Sequence, residues 1–417
     1  MKKYKLKELL TIKNGKDHKE LPDGKFPVYG SGGLMRYVNE FLYDKESILL
    51  PRKGTLSNIQ YVNTPFWTVD TLYYTVVDTK KVNTFYLYYL IKQFDLSKLN
   101  TGTGVPSMTF DAYYDLEVCI PDILMQNRIA DILKSLDSKI ALNNRINVEL
   151  EAMAKTVYDY WFVQFDFPFD FAQGKPSAEG KPYKSSGGKM VWSEELKREV
   201  PEGWEVGTLS DLGDIVGGST PPREVAGYFC NNGTAWITPK DLSLNQGNKF
   251  ISKGELDVSE SGIKAASLNI MSKGTILLSS RAPIGYLAIS RDEVTTNQGF
   301  KSFVPNKGYS TEYVYYSIKN MIPTIENNAV GSTFKEVSAS TLKSIKVCLA
   351  QKEIVEAYNK KVTAIFNRQN LLEQENQQLS SLRDWLLPML MNGQVKVGEV
   401  EEEGGLMAAE PKEKYGK

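Results

Sequence analysis

A chain of 417 residues is longer than one ordinary hydrophobic core supports, so two or three domains are expected. With 41% hydrophobic and 24% charged residues it has the composition of a globular protein, and 50 basic residues balance 50 acidic ones. Net neutrality excludes the global positive field of an indiscriminate nucleic-acid binder. One histidine and three cysteines argue against a Ser-His-Asp triad, a multi-histidine metal site and a disulfide framework.

Charge is uneven along the chain. Met1 to Ile120 carries three more basic than acidic groups, and the tail after Gly393 carries two more acidic than basic. Cys119 in LEVCIP and Cys348 in IKVCLA each sit in an apolar run and are expected as buried strand thiols. His18, in the charged stretch KNGKDHKE, is expected in solvent. The start, MKKYKLKELL, lacks the apolar core of a signal peptide, and no run reaches the length of a membrane span, so a cytoplasmic location is expected. The 23 tyrosines suit either strands or a contact surface.

In chain order, residues 1–121 read as a strand-rich domain, with ESILLPRKGT near the middle and TGTGVPSMTF towards the end. Residues 122–163 carry a long helical pattern. The Gly-, Pro-, Ser- and Lys-rich stretch 164–200 reads as a connector. A second strand-rich domain spans 201–349, a second long helix 350–392, and residues 393–417 read as a disordered tail. The halves repeat each other. SILLPRKGT resembles TILLSSRAP, TGTGVPSMTFDAYYDLEVCIP resembles AVGSTFKEVSASTLKSIKVCLA, and QNRIADIL resembles QKEIVEAY, in the same order.

The two helices carry stripes that step by three and four. The seam runs through Leu136, Ile140, Asn143, Asn147 and Leu150 in the first, and through Ile365, Gln369, Leu372, Asn376 and Leu379 in the second, with Leu382 and Leu386 continuing after a break in phase. The alternative is two helices packed separately, each on its own domain. The amides at Asn143, Asn147, Gln369 and Asn376 favour a specific pairing, because a buried amide that misses its partner penalises a slipped register. About 40 residues make a helix on the order of 60 Å long. Antiparallel pairing needs only a local connection to the second domain and puts the domains at opposite ends of an approximate two-fold. The expected fold is therefore α+β, with two mixed β-rich domains separated by two long antiparallel coiled-coil helices.

The stretch FPVYGSGG could be a cofactor cradle or a turn. A methyl-donor site needs a strand, a glycine turn and then a helix, but LMRYVNEFLYDKESILL follows with no helical stripe. STPPREV is not the Asn/Asp-Pro-Pro-aromatic motif of an amino-methyltransferase. No Gly-Lys pair is followed by Ser or Thr, so there is no phosphate loop, and no nuclease carboxylate–lysine cluster stands out. No catalytic and no metal-ligating residue is assigned. The loops instead hold residue types that read DNA, since Arg and Lys suit guanine edges and phosphates while Asn and Gln suit adenine. In the first domain these are Lys13, Tyr29, Ser31, Arg36, Arg52, Lys53, Thr103 and Ser107. In the second they are Ser219, Thr220, Arg223, Trp236, Thr238, Lys240, Arg281, Asn297, Gln298, Ser332, Thr333 and Lys335. Taken singly, each reads as a turn or surface residue; their recurrence in the loops of both halves is what points to recognition.

Taken together, YGSGG, TAWITPKDLS, TTNQGF, GSTFKEVSASTLKSIKV, the two helix starts, VWSEELKREVPEGW and LRDWLLPMLMNGQV resemble the specificity (S) subunit of type I restriction–modification systems, from Tyr4 to about Val395. The resemblance implies two target-recognition domains that each read half of a split site in double-stranded DNA. It also implies two helices that act as a ruler and dock two methyltransferase (M) subunits, with restriction (R) subunits that cut. S-adenosylmethionine would sit on the M subunits, leaving this chain without a cofactor or catalysis of its own. A self-contained DNA methyltransferase or nuclease and a protein-binding coiled-coil scaffold are the alternatives.

Overall fold

The computed structural model describes residues 1–99, 106–177, 179–281, 283–331 and 335–395. The chain divides into two compact units. The first is Met1–Ile140 with the chain from Gln378 onward, and the second is Ala141–Gln377. The expected tail lies outside the described residues except for Gly393–Val395, where Gln394 N–H donates to the Met389 carbonyl.

The first unit runs β1 (Lys2–Lys5), β2 (Leu10–Asn14), β3 (Asp23–Gly30), β4 (Gly33–Val38), β5 (Ser47–Pro51), β6 (Gln60–Val62), β7 (Trp67–Thr68), β8 (Leu72–Val77), α1 (Thr84–Lys92), α2 (Phe110–Tyr114), β9 (Glu117–Ile120) and the start of α3 (Ile123–Tyr158). A four-stranded sheet has the order β2-β8-β5-β6, a three-stranded one β4-β3-β7, and β1 pairs with β9. β5 is buried at every position and fills the middle of its sheet. β9 alternates, with Val118 and Ile120 inward and Glu117 and Cys119 outward, so Cys119 is an exposed thiol rather than a buried one. His18 is half-buried rather than solvated.

The described residues of the stretch 164–200 form strands, not a bare connector. β10 (Pro168–Asp170), β11 (Lys175–Pro176) and β12 (Lys181–Pro182) form a small sheet, and β13 (Met190–Ser193) pairs with β14 (Arg198–Pro201). Its aromatic residues explain this. Phe167 stacks between Tyr183 and Trp204 at 4.7 and 5.5 Å, and Phe165 packs on Trp204, all inside the second unit's main core.

The second unit continues β15 (Glu205–Thr208), β16 (Asp214–Gly217), β17 (Phe229–Cys230), β18 (Thr234–Ile237), α4 (Pro239–Leu244), β19 (Phe250–Ile251), β20 (Leu256–Val258), α5 (Glu260–Ala265), β21 (Ile276–Ser280), β22 (Ile284–Ser290), β23 (Val294–Thr296), β24 (Lys301–Val304), α6 (Thr311–Asn327), α7 (Ala339–Ser344), β25 (Lys346–Leu349) and the start of α8 (Lys352–Met391). Its sheets are β16-β24-β21-β22-β19, β17-β20-β18-β23 and β15-β25.

The units are built on one plan. β1/β9 corresponds to β15/β25, and β2-β8-β5-β6 to β16-β24-β21-β22. The parallel pair β3/β7 corresponds to β18/β23, and α1, α2, α3 to α6, α7, α8. TFYLYYLIK in α1 and TEYVYYSIK in α6 keep the same spacing, each after a side-chain N-cap, Asn83 or Ser310.

Within each unit the long helices run antiparallel. In the first unit Asp137 of α3 meets Arg383 of α8, and Ile129, Ala130 and Leu133 share a cluster with Leu386, Leu387, Leu390 and Met391. In the second, Asn143 Nδ2 donates to Asn376 Oδ1 and Glu375 Oε2 at 2.9 Å, and Gln369 Nε2 to the Asn147 carbonyl at 3.3 Å. Asn143, Asn147, Gln369 and Leu372 are buried, while Leu136, Ile140, Leu150, Ile365, Asn376 and Leu379 are partly buried. Leu382 faces solvent, and Phe366 fills the position beside Ile365.

The same tyrosine of each repeat ties its unit to α3. Tyr89 Oη donates to Asp137 Oδ2 at 2.5 Å, and Tyr316 Oη to Glu151 Oε2 at 3.0 Å. In the second unit this grows into a buried ionic network. Lys249 Nζ sits 2.6 Å from Glu151 and 2.7 Å from Gln369 Oε1, with the Phe366 ring centre 3.7 Å away. Lys319 also pairs with Glu151 at 2.6 Å. Glu373 accepts from the backbone N–H groups of Lys249 and Phe250 and from Arg291, whose Nε reaches Asn370. Burial alone would push the Glu151 carboxyl up, but Lys249 and Lys319 outweigh it and hold it at about 2. Burial likewise brings Lys249 down, to about 8, against the pull of Glu151.

Two outcomes follow from this network. Lys249→Met leaves Gln369 Oε1 without its donor and Glu151 still held by Lys319 and Tyr316, so denaturant unfolding is expected to show a loss of roughly 1–3 kcal/mol. Because the folded-state pKa of Glu151 lies below its ordinary value of 4.5, its contribution is complete above that value and is lost as pH falls towards about 2. Glu151→Gln is expected to flatten the acid limb of a stability–pH curve over that window.

Candidate nucleic-acid interface

Two loop groups in each unit gather the candidate residues. In the first unit the turn after β5 pairs with the segment before α2. Met108 N–H donates to the Arg52 carbonyl, and Gly54 N–H to the Pro106 carbonyl, both at 2.9 Å. Asn58 Nδ2 holds the Ser31 carbonyl at 2.7 Å, and Gln60 Nε2 the Gly30 carbonyl at 3.1 Å. Ser31, Arg52, Lys53 and Ser107 are thereby brought together, Lys53 exposed and Ser107 bridged to it in the backbone. The glycine run FPVYGSGG is the end of β3 and its turn into β4, where Gly33 has φ +116. It leads into a strand, not a helix.

Two first-unit candidates are occupied elsewhere. Arg36 pairs with Asp23 at 2.6 Å and donates to the Leu21 carbonyl, so it closes the β3–β4 hairpin. Tyr29 packs edge-on against Phe66 in a small core cluster, and that burial raises its phenol pKa. Arg52 is half-buried and donates to the Asp70 carbonyl at 3.3 Å. Lys13 is exposed on β2.

In the second unit Ser219, Thr220, Arg223, Trp236, Thr238, Lys240, Asn297 and Gln298 surround one cleft of about 430 Å³ or its rim. Trp236 is only 2% exposed. Its indole N–H donates to the Ser219 carbonyl at 3.0 Å, and the Arg223 guanidinium lies 5.9 Å from its ring centre. Thr238 caps α4 in a box with Asp241. Asn297 spends its Oδ1 on the Gly299 N–H at 2.9 Å. Trp236 and Thr238, read from the sequence as DNA contacts, are therefore scaffold, because a buried ring and a filled cap have no edge left to present. Thr220 donates to Gln298 Oε1, and Arg223, Lys240 and Gln298 are exposed.

Beside that cleft, Arg281 bridges Glu336 in the backbone, and its Nη1 lies 3.9 Å from the Glu336 carboxylate. Lys335 is exposed next to it, and Lys301 lies 4.0 Å from the same carboxylate. Thr103, Ser332 and Thr333 lie outside the described residues.

The electrostatics suit exchange of partners. Lys240 and Glu255 pair at 2.6 Å with both side chains 67% exposed; the hydrogen bond and the mutual charge raise the Lys240 pKa and lower that of Glu255. Such a pair contributes little to folding, so a phosphate can replace the carboxylate at small cost. Among the described residues no group of three or more His, Cys, Asp or Glu is placed to hold a metal ion, and no helix is long and apolar enough to cross a membrane.

Sequence reasoning missed Lys249, Arg291, Glu151, Glu373 and Tyr316, which fix the second unit's sheet to both long helices. The repeated tyrosines of TFYLYYLIK and TEYVYYSIK carry a signal that could have found Tyr316 and its acid.

Known proteins agree with this layout. The family model for the type I restriction modification DNA specificity domain matches residues 1–152 and 201–381. The type I restriction enzyme MjaIX specificity subunit of Methanocaldococcus jannaschii is 38% identical over 210 residues, 49% of this chain and 48% of that protein, so this match spans about half the relative's length. The HindI specificity subunit of Haemophilus influenzae is 30% identical over 343 residues, 72% of this chain and 73% of its own. The crystal structure of a type I restriction–modification S subunit from M. genitalium shares the fold with a TM-score of 0.58 at 17% identity, covering 93% of this chain and 95% of that one. On the matched domains and the 30% identity over most of both chains, this protein belongs to the type I restriction–modification specificity-subunit family.

Proposed function

We propose that this chain is the non-catalytic DNA-reading subunit of a type I restriction–modification complex. Each unit reads one half of a bipartite, asymmetric site in double-stranded DNA. The single observation that supports this most is duplication of the frame without duplication of the surface. β3/β7 and β18/β23 are the same parallel pair, yet the residues displayed around them differ. A frame kept twice with different exposed side chains is what two different half-sites require.

Assembly extends the same reading. α3 and α8 offer exposed apolar side chains, among them Leu142, Val148, Met153, Leu371 and Trp385, on which M subunits would dock. The M subunits would supply S-adenosylmethionine and methylate adenine, and R subunits would cut. The target adenine must leave the base stack to be methylated, so this chain's part is to hold the duplex beside the M pocket.

Mapping methylated adenines in cells with and without this chain tests the proposal: a split motif that vanishes with the chain is expected, and an unchanged methylation pattern would overturn it. Arg281→Ala is expected to weaken one half-site by about tenfold or more, in the range of roughly 1–3 kcal/mol for a lost base contact, and to leave the other half unchanged. Inserting four residues after Asn143 and four after Asn376 adds about one turn, or roughly 6 Å, to each helix. The preferred spacer should then grow by about two base pairs at roughly 3.4 Å each, with both half-sites intact.

A further inference from the structure

The first unit holds a second loop that the DNA reading has not used. In the second unit the chain leaves β16 through Gly218 and enters the loop that carries Ser219, Thr220 and Arg223. A Cβ at Gly218 would stand 2.2 Å from the carbonyl oxygens of Thr296 and Asn297, Ser219 N–H donates to the Thr296 carbonyl at 3.0 Å, and the Trp236 indole clamps the Ser219 carbonyl. The first unit repeats every part of this. The chain leaves β2 through Gly15, where a Cβ would stand 2.0 Å from the Val69 carbonyl oxygen and 2.6 Å from that of Thr68. Lys16 N–H donates to the Thr68 carbonyl at 2.8 Å, and the Trp67 indole N–H donates to the Lys16 carbonyl at 2.9 Å. Trp67 comes from β7 and Trp236 from β18, so opposite members of the equivalent parallel pairs supply the clamp.

The clamped loop differs in chemistry from its counterpart. Its cations are Lys16 and Lys19, with Lys13 just upstream on β2; all three are exposed, and none has an ion pair among the described residues. Of the loop's two acids, Glu20 is exposed at its far end and Asp17 is engaged by the loop's own backbone. Asp17 Oδ1 accepts the His18 N–H at 2.7 Å and the Lys19 N–H at 3.1 Å, which lowers its pKa and shapes the loop. A lysine is a mobile point charge without arginine's planar fork, so two of them on a pre-shaped loop and a third on the strand leading into it fit a phosphate backbone better than a base pair.

We propose that the loop Gly15–Glu20, with Lys13, Lys16 and Lys19, is the first unit's phosphate-gripping edge, the counterpart of Gly218–Arg223 in the second. This rests on the DNA-reading function proposed above and adds Lys16 and Lys19 to its contact residues. The test uses the full chain assembled with its M subunits and a duplex carrying the mapped site. Affinity is measured across a range of salt for Lys13→Gln/Lys16→Gln/Lys19→Gln, for the matching triple Arg variant, and for Arg223→Ala as a second-unit control. Each lost phosphate contact lowers the slope of log K against log salt by about 0.9. The Gln variant should lose roughly 2–3 from that slope, bind at least tenfold more weakly at low salt and keep the methylation motif unchanged, while the Arg variant keeps the slope. An unchanged slope in the Gln variant with a weakened Arg223→Ala control would overturn the loop assignment alone. A wild-type complex with no salt slope and no preference for the site would overturn the DNA reading itself.

Discussion

The second unit depends on keeping Lys249 charged in a place where water cannot reach it. The ammonium lies between Glu151 of one long helix and Gln369 of the other, against the ring of Phe366, and Glu373 one turn on takes the backbone N–H groups of Lys249 and Phe250 where β19 begins. Such a network is poor value as stability, since desolvating several charges offsets most of their attraction. It is specific, however. Only one register of α8 against α3 and one seating of the sheet satisfy Glu151, Gln369, Glu373 and Arg291 together, whereas an apolar seam tolerates a slip. That discrimination of register, more than net free energy, is what the network contributes.

The first unit reaches the same end with fewer charges. Asp137 receives Tyr89 from α1 and Arg383 from α8, and the apolar side chains around Leu133 and Leu390 do the rest. The equivalent tyrosine does the equivalent task in both, while the cation that balances the acid arrives from α8 in one unit and from the β19 approach and α6 in the other. Duplication preserved the anchor and let its electrostatic partner drift, as expected where geometry is under stronger constraint than the source of a charge.

The loops around the two parallel strand pairs follow the same division between frame and display. Gly15 and Gly218 cannot carry a side chain because a neighbouring backbone occupies its volume, and Trp67 and Trp236 hold the next carbonyl in place. These positions set where a loop goes. The residues beyond them differ, exposed lysines in one unit, and a half-buried Thr220 and an exposed Arg223 in the other. The Lys240–Glu255 pair keeps a cation oriented at the rim without burying it.

Period and repetition were legible in the sequence. The stripes of three and four through Asn143 and Gln369 marked both long helices, the repeated motifs marked the duplication, and the absence of phosphate-loop or methyltransferase patterns pointed away from catalysis. These are local, one-dimensional signals, because helix periodicity and turn chemistry are written within a few residues. Which polar side chains are spent inside the fold was settled only by tertiary contacts. Nothing local distinguishes Arg36, paired with Asp23, or Trp236, buried beneath Arg223, from the exposed Lys53 and Gln298. Likewise Lys249 and Glu151 read as ordinary surface charges until the chain folds, since they lie about a hundred positions apart and acquire their meaning only when desolvated together.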